Sequence, residues 1–307
     1  MAPIAIRMGG YGPPTTGFSK ALKFIGDKLT AEFGERIAVD YVWNVMDHGY
    51  KAEDILTLVE NGEITLGYQS SSYLTDRVPE LGLVDLPFLF SSNAQARGAM
   101  DGALGQFLAE KTEERIGYRI LGWYENGFRH ISNRLRPIHR PADMAGMKIR
   151  VLPSDIHKRT FELLGAVAMR MDLTEAIAMI KAGTLDAQEN PLANTVTYGV
   201  HKFHKFHTLS YHFYISRPIF LHRASFDAWP ADLQSAMRRA VADSVAFQRK
   251  LAVEEHDSSR KIIEDAGCEI HELTPQEHDA FAAAVQPLLA DARKMYGEAM
   301  FRMVPKI

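Results

Sequence analysis

The sequence contains a single cysteine, Cys268, among 307 residues. One thiol excludes an internal disulfide and a thiolate metal cluster, and it leaves both the cytosol and the bacterial periplasm open. No apolar run approaches the ~18 residues of a membrane-spanning helix. An excess of one charge is lacking too. Against 38 Asp and Glu stand 35 Lys and Arg, a formal net charge of −3, which gives no reason to expect nucleic acid or an anionic membrane as partner. There is no Walker loop, "GYQSSS" is not a G-x-S-x-G elbow, and no acid and base are paired at a recognisable spacing. An enzyme therefore has little support. The remainder is 46% hydrophobic and 24% charged, which suits a soluble globular chain of one large domain or two ordinary ones.

The start, "MAPIAIRMGG", lacks the charged end and long apolar stretch of a signal peptide, yet its first strand begins almost at once. That fits an exported protein already cut at a small-residue site, with Met1 added for expression.

Strands and helices alternate from there. "AIRMGG" is a strand, and Phe18, Leu22, Ile25, Leu29 and Phe33 follow at helical spacing. A second cycle opens with strand "MKIRVL" and helix "PSDIHKRTFELLG". The stretch "TLSYHFYISRPIFLHR" reads as two extended segments that pass between lobes. Residues 230–266 are nearly free of glycine and proline and predict one helix of about 55 Å, a spine across two lobes. Thr274-Pro275-Gln276-Glu277 is a capping box with proline at the first helical position. The fold expected is α/β, two lobes interleaved in sequence, with a long inter-lobe helix and a central cleft between them. The expected division is 1–124 plus 213–252 against 125–212 plus 253–307, with the C-terminal helices packing across both lobes.

Several motifs invite chemistry. In "GGYGPP", Gly10 and Gly12 fit a dinucleotide loop, but Thr15 replaces the third glycine and Pro13-Pro14 displace the helix start. A turn over the cleft mouth, with Tyr11 facing a ligand, is the better reading. His201, His204, His207 and His212 lie close together but at drifting spacing and without a carboxylate, so no metal is expected. Phe203 and Phe206 are then expected inside and the histidines outside. "HELTPQEH" likewise fails zinc spacing and reads as a strand end and cap. Arg129 and Arg150 lie at or just beyond strand C-termini, which border the ligand crevice in open parallel sheets, and Asn190 closes a third strand. Alone, each arginine reads as a surface ion pair. Together the three describe a planar clamp for a carboxylate.

The blocks "GFSKALKFIGDKLTAEFGERIAVDY", "KAEDILTLVENGEITLGYQSSSYLTDRVPELGLVDLPFLF", "RPADMAGMKIRVLPSDIHKRTFELLGA", "TEAIAMIKAGTLDAQENP" and "SFDAWPADLQSAM" resemble the DctP-type solute-binding proteins of tripartite ATP-independent periplasmic (TRAP) transporters. The resemblance implies that Arg150 makes the principal salt bridge to a substrate carboxylate, with Arg129 and Asn190 on the same group. It implies that Gln69 faces the pocket from the other lobe and that Leu173 stands where the family often has an aromatic ring. His212 and Phe213 would lie near the pocket floor. Ala187 departs from the family's usual glycine and Ala168 lies near a missing proline. Arg170 adds a charge that is either solvated or meets a second acidic group. The implied protein is a periplasmic monomer, without cofactor or catalysis, that captures a small organic acid and hands it to TRAP membrane subunits. A periplasmic ligand sensor and a two-lobed organic-acid enzyme are the alternatives.

Overall fold

Two long antiparallel strands cross the molecule, and the other elements are arranged on them. The structure, a computed structural model, describes residues 2–304. Met1, with the expected added start, and the last three residues of the second expected lobe lie outside the described residues. Nine strands form one mixed sheet: β1 (Ile4–Gly9), β2 (Ile37–Val42), β3 (Leu66–Tyr68), β4 (Tyr118–Asn133), β5 (Lys148–Val151), β6 (Val167–Arg170), β7 (Ala187–Asn190), β8 (Phe206–His222) and β9 (Glu269–Glu272). The order is β2-β1-β3-β8-β4-β7-β5-β6, with β9 on β8. β1 runs parallel to β2 and β3, and β5 to β6 and β7. Between these blocks β8 and β4 are antiparallel to each other and to β3 and β7. Each lobe thus owns one parallel block, and both share the central pair.

The shared pair is interrupted. Its register breaks between Ile120 and Gly122, between Glu125 and Gly127, and between Arg129 and Ile131. At the last break Arg129 faces Phe213 while Ile131 faces Thr208, so residues 209–212 of β8 are looped out. Gly127 takes φ 84° in this stretch, a left-handed conformation that a side chain would oppose. Sequence reading sets Arg129 at or just beyond a strand C-terminus. The structure corrects this: Arg129 lies inside β4, which glycine allows to continue through the bulge.

The helix Ala231–Asp265 spans 35 residues, about 52 Å at 1.5 Å per residue. Leu233, Met237, Val241 and Val245 bury one stripe in its first half, and Ser259 and Ile263 resume it near the end. The helix packs on the helix Gly17–Phe33, on β4 and on the helix Leu192–Thr197, so it touches both lobes. The larger core gathers β1, β3 and their helices, and the C-terminal helix Gln286–Phe301 adds Leu289, Ala292 and Phe301 to it. A second core forms around Ile149, Val151, Phe161 and Phe213, to which the helix Pro275–Ala284 adds Phe281.

The histidine segment is inside out relative to its sequence reading. Phe203 is exposed, whereas His204 and His207 are buried. His204 lies just before β8, which starts at Phe206, and His207 lies in a run of the strand, residues 207–210, that is buried throughout. His204 Nδ1 meets Ser132 Oγ at 3.0 Å and His207 Nε2 meets the His204 carbonyl at 3.0 Å. Burial pushes their imidazoles down to about 3 and about 4, so both stay neutral and need no counter-charge.

Asp85 ties the segment 72–85 to the helix Asp155–Leu163. Its Oδ1 accepts from Ser72 Oγ at 2.7 Å and lies 3.5 Å from His157 Nε2, all without solvent contact. Burial pushes the Asp85 carboxyl up from 3.8 to about 7, opposed by the Ser154 and Ser72 hydroxyls. A carboxyl raised on folding binds its proton more tightly in the native state. Stability is therefore greatest below the unfolded pKa and falls as pH rises towards 7, by up to about 4 kcal/mol. Asp85→Asn keeps the shape and removes the ionisation. Urea unfolding of the two proteins at pH 5 and pH 8 is expected to show a loss in the natural protein that the variant lacks; parallel pH profiles would remove Asp85 from this role.

Candidate functional site

A cavity with about 230 Å³ of free space opens where the two parallel blocks meet, lined by Tyr11, Gln69, Ser70, Tyr73, Arg129, Arg150, Leu152, Leu173, Asn190, Asn194 and Arg217. Six of the eight residues singled out from sequence therefore share one wall: Tyr11, Gln69, Arg129, Arg150, Leu173 and Asn190.

Arg150 is the third residue of β5, with 1% of its surface exposed. Its Nε donates to the Met171 carbonyl at 3.1 Å, and Nη2 donates to Tyr73 Oη at 3.0 Å. Among the described residues no carboxylate lies within ion-pair distance of it. A buried guanidinium without an anion is costly unless something else supplies the charge. Tyr73 is the residue that sequence reading missed here. Its oxygen also accepts from the Leu173 N–H at 3.2 Å, which leaves the phenolic O–H to donate. Burial pushes that hydroxyl's pKa up against the opposing charge of Arg150, so it remains a donor at any physiological pH.

Arg129 is different. Its Nε and Nη2 grip the Glu189 carboxylate, with Nη2 also on the Glu189 carbonyl at 2.6 Å. Burial alone would raise the Glu189 carboxyl. The Arg129 charge and its hydrogen bonds, with the His212 imidazole close by, outweigh it and hold it well below the usual range. This pair is neutral as a unit and positions the wall. Asn190, at the end of β7, donates one N–H to Gln188 Oε1 at 2.8 Å and keeps the other free. Gln69 spans Ala52 O and the Ser70 N–H, both at 2.8 Å, so it braces its loop while lining the cavity.

The third arginine was not anticipated. Arg217, on β8, is 3% exposed and sits 3.9 Å over the Phe18 ring, with Tyr11 and Tyr68 at 5.1 and 5.7 Å. It makes no hydrogen bond and no ion pair among the described residues, and its Nε is buried without a partner. Aromatic faces offset part of a buried cation's cost but supply no acceptor for five N–H groups. The cavity thus carries two uncompensated guanidiniums, Arg150 and Arg217.

His212 and Phe213 do not reach the cavity. His212 Nδ1 pairs with Ser210 Oγ at 2.7 Å, its Nε2 lies 3.6 Å from Glu189, and Phe213 stacks on His157 at 4.0 Å. Both stand one layer behind the wall because the looped-out turn of β8 drives them into the second core. Arg170 is half-buried and paired: it bonds Asp155 and Asp76, each at 2.7 Å. Its partner Asp76 belongs to the opposite side of the cleft, as do Ala52 and Glu53, whose N–H groups donate to Thr174 Oγ1 and Asp172 Oδ2 at 3.0 and 3.1 Å. These contacts join the two sides of the cleft along its rim.

A larger hollow of about 710 Å³ lies between the long helix and the β4 bulge. Glu125, Glu255 and His256 line it and no arginine or lysine does, so it lacks the groups that would hold an acid.

The profile of the DctP family, bacterial extracellular solute-binding protein family 7, matches residues 20–295. The chain is 28% identical over 289 residues to the C4-dicarboxylate-binding periplasmic protein DctP of Rhodobacter capsulatus, covering 93% of this chain and 85% of that one. It is 29% identical over 234 residues to the 2,3-diketo-L-gulonate-binding periplasmic protein YiaO of Escherichia coli, covering 76% and 70%. Its structure is similar to that of a sugar acid binding protein from Advenella mimigardefordensis in complex with galactonate: TM-score 0.92, 27% identity, covering 98% and 96% of the two chains.

Proposed function

The chain belongs to family 7 of the bacterial extracellular solute-binding proteins, and from that premise we propose that it captures a small organic acid between its lobes and delivers it to a TRAP membrane permease. The observation that carries the reading is the buried, anion-free guanidinium of Arg150. A substrate carboxylate there gains the free in-plane N–H groups at the guanidinium edge, the Tyr73 O–H and the remaining Asn190 N–H. Hydrogen bonds to a charged group contribute about 1.5–3 kcal/mol each, so two or three are compatible with micromolar affinity, roughly −8 kcal/mol. The far end of the acid carries oxygen to Arg217, whose N–H groups otherwise lack acceptors; a second carboxylate or the hydroxyls of a sugar acid both meet that need.

The lobes divide at 1–124 plus 213–252 against 125–212 plus 253–307, and the register breaks of β4 and β8 absorb the hinge motion. In this reading the protein works as a periplasmic monomer, and its closed form docks on the permease. The relatives described are binding proteins, not enzymes.

A thermal-shift series over monocarboxylates, short dicarboxylates and sugar acids tests it, because a ligand that binds only the folded state at 100 times its Kd adds about 2.7 kcal/mol. At least one acid is expected to raise the melting temperature in a saturable way while the matching neutral alcohol or sugar does not. No shift with any acid, or equal shifts with the neutral analogues, defeats the proposal.

A further inference from the structure

Outside the lining of the cleft, three side chains from separate elements converge on one point. His139 comes from the loop between β4 and β5, His271 from β9, and Glu277 from the first turn of the helix Pro275–Ala284. His139 Nδ1 lies 3.1 Å from His271 Nε2 and 3.2 Å from Glu277 Oε1, and His271 Nε2 lies 3.0 Å from Glu277 Oε2. We propose that these three residues form a binding site for a borderline divalent cation of the zinc type, with water completing the coordination.

Protons cannot account for the arrangement. If both nitrogens carry hydrogen, each donates to the carboxylate and the two N–H groups confront each other. If only one is protonated, the other nitrogen turns its lone pair on a carboxylate oxygen. In every case one of the three contacts sets like against like. A cation at the common focus satisfies all of them, because each atom offers it a lone pair. The separations agree with this. Bonds of about 2.0–2.2 Å to nitrogen and oxygen around a tetrahedral ion put neighbouring ligands about 3.3 Å apart. Two imidazoles and a carboxylate suit zinc and its transition-metal neighbours over calcium or magnesium, which prefer oxygen alone.

The ligands are also pre-set. The Thr274 N–H donates to Glu277 Oε2 at 2.7 Å in the capping box, which aims the carboxylate. His271 is paired in register with Thr208 of β8, and Thr208 Oγ1 donates to the Ile138 carbonyl at 3.1 Å, next to His139. A bound ion would staple β9 and the helix Pro275–Ala284 to the loop that leads into β5. All three side chains keep partial solvent access, which gives the ion a route in.

The experiment is calorimetric titration of chelator-treated full chain with zinc chloride, beside His139→Ala and His271→Ala. One equivalent is expected to bind at micromolar concentration or tighter, with a rise in melting temperature that EDTA reverses. Each variant should weaken binding at least about 100-fold. His139 lies on an exposed loop, so that variant folds even if His271→Ala does not. Absence of binding at micromolar zinc, or binding that both substitutions leave unchanged, overturns the proposal. Acid binding by the His139→Ala variant should be unaffected, which keeps this site separate from the cleft.

Discussion

Arg150→Ala is expected to lower affinity for the captured acid at least about 100-fold while the variant folds as the natural protein does. Truncating one partner of a buried, hydrogen-bonded charge pair costs about 2–5 kcal/mol, because the other partner stays buried without its counter-ion. A 100-fold loss corresponds to about 2.7 kcal/mol, the lower part of that range. The fold should tolerate the change, since among the described residues the Arg150 side chain gives two hydrogen bonds, to the Met171 carbonyl and Tyr73 Oη. Arg150→Lys should bind poorly as well, because an ammonium cannot present a planar fork. Isothermal titration with the acid found by thermal shift decides the matter, and near-normal binding by Arg150→Ala would take the residue out of the role.

The second large effect has two opposite signs. Arg217→Met replaces a buried cation with an apolar chain that fills similar space against Phe18, Tyr11 and Tyr68. Without ligand, the natural protein bears the cost of a buried charge and an unpartnered Nε, about 1–3 kcal/mol for the lost hydrogen bond alone. The cation–aromatic contacts return up to about 2 kcal/mol of it. The ligand-free variant is therefore expected to melt higher than the natural protein and to bind the acid about 10–100-fold more weakly. Stability kept at the expense of function is how binding sites ordinarily differ from cores. A variant that melts lower yet binds normally would show that Arg217 serves packing and not capture.

Much of this was legible in the sequence, and the failures have physical reasons. The helix Gly17–Phe33 and the 35-residue helix were visible because their apolar positions recur at helical spacing with no proline to stop them. Arg150 and Asn190 were found because short parallel strands end where ligands bind. The second half of β4 was hidden by its own composition. "ENGFRHISN" looks like loop because Glu125, Asn126, Arg129, His130 and Ser132 are polar, yet all five are buried, and a glycine within the strand looks like a turn. His204 and His207 misled for the same reason: polar side chains satisfied internally carry the pattern of solvent. Arg217 did leave a signal, a lone charge within the apolar run "FYISRPIF", where a buried strand would not spend one on solubility. Tyr73 left none, since a tyrosine in "SSYL" is as readily core as site. His271 and Glu277 were seen in "HELTPQEH" and set aside because that spacing fails for zinc; His139, 132 residues earlier, joins them only through tertiary structure.

The two uncompensated guanidiniums also bear on the unladen molecule. Bringing the halves together around an empty hollow confines two like charges where water screens them less, and their repulsion opposes closure. An arriving anion reverses the sign of that interaction, so cargo itself tips the balance towards the shut state. The downstream membrane machinery can then recognise shape alone, because a receptor that shuts only when full seldom makes a futile visit.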